Sequence, residues 1–117
     1  MKIELIQGDT SEIYKFQRKD GEGNVIKTLP SKMWITFKSS TRLTESVLQK
    51  TLENGISYSE EDNYYRFFLE SSDTSDLSYG EYVFDIAILN EAGHKKTLLK
   101  DCILEITDHC TDKTNEV

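Results

Sequence analysis

A chain of 117 residues that is 37% hydrophobic and 30% charged can bury a core as one domain and is too apolar to stay disordered. Its formal net charge of −7 disfavours a nucleic-acid backbone as the main partner, because neutralising phosphates needs a surplus of Lys and Arg. No apolar run approaches the ~20 residues that span a bilayer, and Glu4 interrupts the only apolar stretch at the N-terminus, so neither a membrane segment nor a signal peptide is expected.

In chain order, residues 2–7 read as a short strand with Ile3 and Leu5 on one face, broken by the turn residues Gln7-Gly8-Asp9-Thr10. Residues 11–18 resume as a strand, Tyr14 and Phe16 inward, Lys15 and Gln17 outward. The glycine-rich run 20–24 predicts a hairpin leading through Val25 and Ile26 to Leu29 and Pro30. In residues 32–39, Met33, Ile35 and Phe37 form the apolar face and leave Trp34 on the other. The Ser/Thr-rich residues 39–46 read as a connection. A strand follows from Val47 to Leu52, then a turn over 53–55 and an extension to Tyr58.

Beyond the acidic loop 59–63, residues 64–70 alternate, with Tyr65, Phe67 and Leu69 on one side and Tyr64, Arg66 and Phe68 on the other. The next stretch organises the chain. Asp73 is placed to cap one helical turn, with Asp76 completing a capping-box-like pair and Leu77 plugging the turn into the core. Gly80 supplies the positive-φ release into a strand over 81–89, where Tyr82, Phe84, Ile86 and Ile88 share a face. A Leu-x-x-Gly-x-Tyr run entering a late strand has the form of a tyrosine corner. A hairpin at 90–93 returns the chain through a last strand over 95–107, where Cys102, Leu104 and Ile106 align. These elements predict an all-β, immunoglobulin-like Greek-key β-sandwich of about seven to eight strands over residues 1–107, with one short helical turn before the tyrosine-corner strand. Residues 108–117, without apolar rhythm, are expected to be a flexible tail.

Catalytic patterns are absent from the sequence: there is no nucleophile elbow, phosphate-binding loop or His-Glu-x-x-His. His94 reads as a solvated hairpin residue. His109 with Cys110 supplies too few ligands for a tetrahedral metal site. The run Asp20 to Asn24 has alternating oxygen donors, but its glycines and its missing twelfth-position carboxylate do not fit a calcium loop. Adjacent carboxylates at 60–62 point apart and do not form a glycosidase pair. Cys102 lies on the core-facing parity, which predicts a buried, inert, reduced thiol. Neither an enzyme nor a cofactor or metal is expected. Trp34, Tyr64 and Phe68 stand out instead as aromatics on outward parity, and they are the candidate interaction residues.

Several motifs carry a resemblance: Gln7-Gly8-Asp9-Thr10, Asp20-Gly21, Ile35-Thr36-Phe37-Lys38, and then Asp73-Thr74, Leu77, Gly80, Tyr82, Asp85-Ile86 and Lys96-Thr97-Leu98. Over residues 3–107 the chain resembles small immunoglobulin-like structural proteins of tailed phages and prophages of Gram-positive bacteria, and is similar to the N-terminal domain of baseplate upper proteins. The resemblance implies a non-enzymatic tail or baseplate accessory component of a virion. Its partners would be other phage structural proteins, with a homo-oligomer plausible and no nucleic acid or membrane. Its location would be the bacterial cytoplasm during assembly and then the virion. The alternative is a carbohydrate- or cell-surface-binding module on the same fold.

Overall fold

A computed structural model describes residues 1–39 and 46–108. The expected tail beyond Asp108, with His109 and Cys110, and most of the expected 39–46 connection lie outside the described residues. The strands are β1 (Lys2–Ile6), β2 (Tyr14–Phe16), β3 (Lys32–Lys38), β4 (Leu48–Leu52), β5 (Gly55–Ser59), β6 (Tyr64–Phe67), β7 (Gly80–Leu89) and β8 (Lys95–Thr107), with the single turn α1 (Ser71–Thr74) between β6 and β7. They form one mixed, strongly curled sheet, a half-barrel in the order β1-β8-β7-β3-β4-β5-β6-β2. The architecture is therefore all-β with one helical turn, and a curled sheet stands where two separate layers were expected.

The reason lies at one junction. β4 and β5 are joined by a parallel ladder of only two pairs, Thr51↔Gly55 and Leu52↔Ile56. Thr51 and Asn54 exchange backbone hydrogen bonds of 3.1 and 2.9 Å, which turns the chain within a few residues. Gly55 sits there at φ 112°, and a Cβ on it would meet Lys50 Cδ at 2.8 Å, so the corner needs glycine both for its backbone and for space. The ladder runs continuously through this seam, while the curl brings both inner faces onto one core.

That core follows the alternation in the sequence. Ile3 and Leu5 of β1, Met33, Ile35 and Phe37 of β3, Tyr65 and Phe67 of β6, and Cys102, Leu104 and Ile106 of β8 are all buried in it. Tyr82, Phe84, Ile86 and Ile88 of β7 complete it. Phe37 packs on Phe84 with ring centroids 4.8 Å apart, across the register pair that joins β3 to β7. β1 runs parallel to β8, from Lys2↔Ile103 to Ile6↔Thr107.

The turn before β7 departs from expectation in its first residues. Its N-cap is Glu70, and Asp73 occupies the third helical position, where Oδ2 accepts the Glu70 N–H at 2.8 Å. Asp76 takes no part and is exposed. Asp73 is held in place because the same Oδ2 accepts from Lys50 Nζ at 2.7 Å, an ion pair between β4 and α1. The rest of the stretch follows the expected form. Leu77 packs against the core, Gly80 has φ 131°, and the Tyr82 hydroxyl donates to the Ser78 carbonyl at 2.8 Å. The early turn docks here: Gly8 N–H donates to Thr74 Oγ1 at 3.1 Å, and Gln7 Nε2 to the Leu77 carbonyl at 2.6 Å.

β2 is shorter than expected, Tyr14 to Phe16, because the chain beyond it is drawn into its own hairpin. Asp20 Oδ1 accepts the Glu22 and Asn24 N–H groups at 2.9 Å each, and Lys19 bridges to Val25. These bonds hold the Asp20 carboxyl below its ordinary 3.8, Asn24 contributing most and Glu22 next.

Candidate functional site

Each expected interaction residue follows its strand parity, but the three do not meet. Trp34 lies on the outer side of β3, half-buried, opposite Thr51 of β4 and Ala87 of β7. With Thr36, Gln49, Asp85 and Lys95 it lines a shallow groove of about 220 Å³. Gln49 Nε2 donates to Thr36 Oγ1 at 3.0 Å there, leaving the amide oxygen of Gln49 as an acceptor.

Tyr64, on the outer side of β6, and Phe68, just past its end, belong to the other half of the curl. Tyr64 is half-buried, and Lys15 Nζ of β2 stands 4.9 Å from its ring centroid, a cation–π contact that uses the ring face. Arg66 stands between them in sequence and is paired with Asp62. That guanidinium is the main cause holding the Asp62 carboxyl below its ordinary 3.8.

Phe68 is 37% exposed just past the end of β6, beside a residue that the alternation alone did not single out, Ile13, which is 64% exposed. Together with Ile56, Ser57, Arg66 and Phe67 they line an apolar groove of about 330 Å³ along β5 and β6. Ile13 was legible in principle: it shares the outward parity of Lys15 and Gln17, and isoleucine is out of place in that row.

A second omission is Arg18. It continues the inward parity of Tyr14 and Phe16 and is only 8% exposed. Nη1 donates to the Thr28 carbonyl at 3.0 Å, whereas Nε is buried without a hydrogen-bond partner. It lines a cleft of about 380 Å³ between the 19–25 hairpin and the 90–94 hairpin, where Ile26, Ile88 and Leu98 supply the apolar lining and Lys19, Lys96, Asp20 and Glu91 supply charges of both signs.

The remaining chemistry-bearing residues are spread out. His94 is exposed, and its backbone N–H donates to Asn90 Oδ1 at 2.9 Å. Cys102 is buried as a free thiol. Among the described residues no three His, Cys, Asp or Glu side chains come together to hold a metal ion, and no helix is long and apolar enough to cross a membrane. No protein-family model matches the chain, and no curated protein matches it.

Proposed function

We propose that this chain is a non-enzymatic structural component of a tailed-phage or prophage particle, an immunoglobulin-like module that attaches to other virion proteins and to copies of itself. The observation that carries the attachment is the apolar groove along β5 and β6 that Ile13 and Phe68 help to line, two large side chains left 64% and 37% exposed. An exposed apolar surface of this kind gains free energy when another protein covers it.

The immunoglobulin-like reading is supported by strand order and by the corner. β8, β7 and β3 lie side by side, as do β2, β6 and β5, and the two groups connect only through β4 and its short seam with β5. The Tyr82–Ser78 hydrogen bond ties the start of β7 to the segment before it, in the manner of a tyrosine corner. The phage setting rests on the sequence resemblance, and its motifs are physically joined: the Gln7-Gly8 turn is bonded to Thr74 and Leu77.

Two measurements test the proposal. Light scattering across a concentration series is expected to give an oligomer that Ile13→Ser and Phe68→Ser each weaken. Mass spectrometry of particles purified after induction of a lysogen carrying the gene is expected to find the chain in the virion. A monomer at every concentration, together with particles lacking the chain, would overturn the proposal. The carbohydrate-binding alternative has one observation in its favour, the placement of Trp34 among Thr36, Gln49, Asp85 and Lys95. It predicts saturable quenching of Trp34 fluorescence by cell-wall saccharides.

A further inference from the structure

The strand order leaves β1 at one edge of the sheet, paired on one side only. The Ile103 N–H donates to the Met1 carbonyl at 3.1 Å, and the Gln7 N–H to the Thr107 carbonyl at 2.9 Å. The odd-numbered residues of β1 therefore turn their backbone groups toward β8, and by the same alternation Lys2, Glu4 and Ile6 turn theirs away. The Ile6 carbonyl is taken by the Asp9 N–H at 2.9 Å, which closes that end of the edge. The N–H and C=O groups of Lys2 and Glu4 meet no backbone partner among the described residues.

The side chains along this edge are out of balance. Glu4 stands opposite Glu105 of β8, and Glu105 opposite Glu81 of β7, so three carboxylates cross the outer face in one row. Like charges held in register repel. Among the described residues the cation paired with this row is Lys2, its Nζ 3.3 Å from Glu105 and 3.5 Å from Glu4, and Glu4 stays 67% exposed. On the inner face, Met1 is 52% exposed at the open end of a row in which Ile3 and Leu5 are buried.

Charges on an edge strand ordinarily discourage pairing. On β1 the two charges differ in sign and stand two residues apart, which reverses the effect in one register. Antiparallel pairing of two copies sets residues with free backbone groups opposite one another, here Lys2 and Glu4. Centred on Lys2 or on Glu4, it opposes like charges. Shifted further toward the Gln7 turn, it meets the occupied Ile6 carbonyl. Centred on Ile3, it sets Lys2 of each copy against Glu4 of the other, ends the acidic row with a cation, and brings Met1 opposite Leu5. We propose that β1 pairs antiparallel with β1 of a second copy about a two-fold axis beside Ile3, joining two sheets into one. Such a contact is isologous, so by itself it closes at a dimer. It rests on the self-association proposed above but not on the Ile13 and Phe68 groove, which lies along β5 and β6 toward the other edge.

The test uses the full chain carrying Ile13→Ser and Phe68→Ser, which removes the groove contact, in sedimentation equilibrium across a concentration series. A dimer is expected. In that background Lys2→Glu and Glu4→Lys each oppose like charges and are expected to weaken the dimer roughly tenfold. Mixing the two single variants restores opposite charges at both pairs, so a heterodimer of near-parental affinity is expected. The double exchange Lys2→Glu with Glu4→Lys is expected to recover the homodimer. Hydrogen exchange at the Glu4 amide should slow as the parental dimer forms. The proposal is overturned if the background stays monomeric with the Glu4 amide exchanging freely at every concentration, the result for an edge that serves a different protein. It is equally overturned if the single variants dimerise as well as the parent, or if their mixture does not associate. Should an exchanged variant fail to fold, the concentration dependence of Glu4 amide exchange in the unmodified chain decides the matter. Failure of the groove reading gives a different result: Ile13→Ser and Phe68→Ser then leave the association of the unmodified chain unchanged, while the charge exchanges still act.

Discussion

Lys50 Nζ lies 2.7 Å from Asp73 Oδ2, and this contact joins the inner side of β4 to the only helical turn among the described residues. Both side chains are largely withdrawn from water, at 8% and 16% exposure, so either left alone would be a poorly hydrated charge. Asp73 has a further role as acceptor for the Glu70 N–H. Asp73→Ala is therefore expected to cost about 3 kcal/mol, since it strands the lysine and removes the capping acceptor. Lys50→Met keeps the stem beside Gly55 and leaves Asp73 its backbone donor, so roughly half that loss is expected. Urea denaturation of the two variants measures the difference, and equal losses would contradict the asymmetric role of Asp73.

The corner before β7 makes a smaller and cleaner prediction. Tyr82→Phe deletes only the hydroxyl that donates to Ser78 at 2.8 Å and retains the buried ring. The expected loss is about 1 kcal/mol, from a neutral hydrogen bond at a partly buried site. The same melts should show no change in secondary structure by circular dichroism.

How far the sequence foretold this structure depends on the range of the interaction. Ile3 with Leu5, Met33 with Phe37, and Tyr82 through Ile88 fell on the expected faces because a single strand's parity decides them. The Tyr82 corner was legible for the same reason, its partner lying four residues away. The parallel pairing of β1 with β8 was not, since it joins residues about a hundred positions apart and leaves no mark on either strand's alternation. Lys50 was read past because an inward lysine makes sense only once α1 brings Asp73 to it. Of the candidate sites, the outward parity of Trp34, Tyr64 and Phe68 was readable. Their separation onto different parts of the curl was set by the Thr51–Leu52 seam with β5 and was not.

That seam gives the third prediction. At Gly55 an added methyl group faces both a φ of 112° and the Lys50 stem, with Cδ at 2.8 Å. Gly55→Ala is expected to destabilise by roughly 2 kcal/mol. Gly8→Ala has a φ of 82° but open space around its Cβ, and should cost less. Thermal melts of the pair separate steric crowding from backbone preference, and a larger loss at Gly8 would remove the crowding argument.

Acid sensitivity should trace to two surface carboxylates. Asp62 is held below 3.8 chiefly by Arg66, and Asp20 by the Asn24 and Glu22 N–H groups. A carboxyl whose folded pKa is depressed releases more protons in the folded state, so its stabilisation is full above the unfolded value near 3.8 and fades as pH falls through the lower folded value. Arg66→Gln is expected to return Asp62 toward 3.8 and to flatten its share of the acid limb while leaving Asp20 unmoved. Carboxyl carbon NMR titrations of both residues check this, and an unchanged Asp62 midpoint would assign its shift to another cause.

The parallel pairing of β1 with β8 also sets how the fold bears load. Lys2 stands beside Ile103 and Ile6 beside Thr107, so the chain before β1 and the chain after β8 leave this ladder from opposite ends. Tension applied between Met1 and Asp108 pulls the two strands past one another, along their length and across the direction of the hydrogen bonds. The five register pairs then share the force and must yield together, whereas a hairpin pulled from its open end gives way one pair at a time. The edge of the sheet that looks most peripheral in the strand order is thus the clamp that resists extension, and forced unfolding should begin with its rupture.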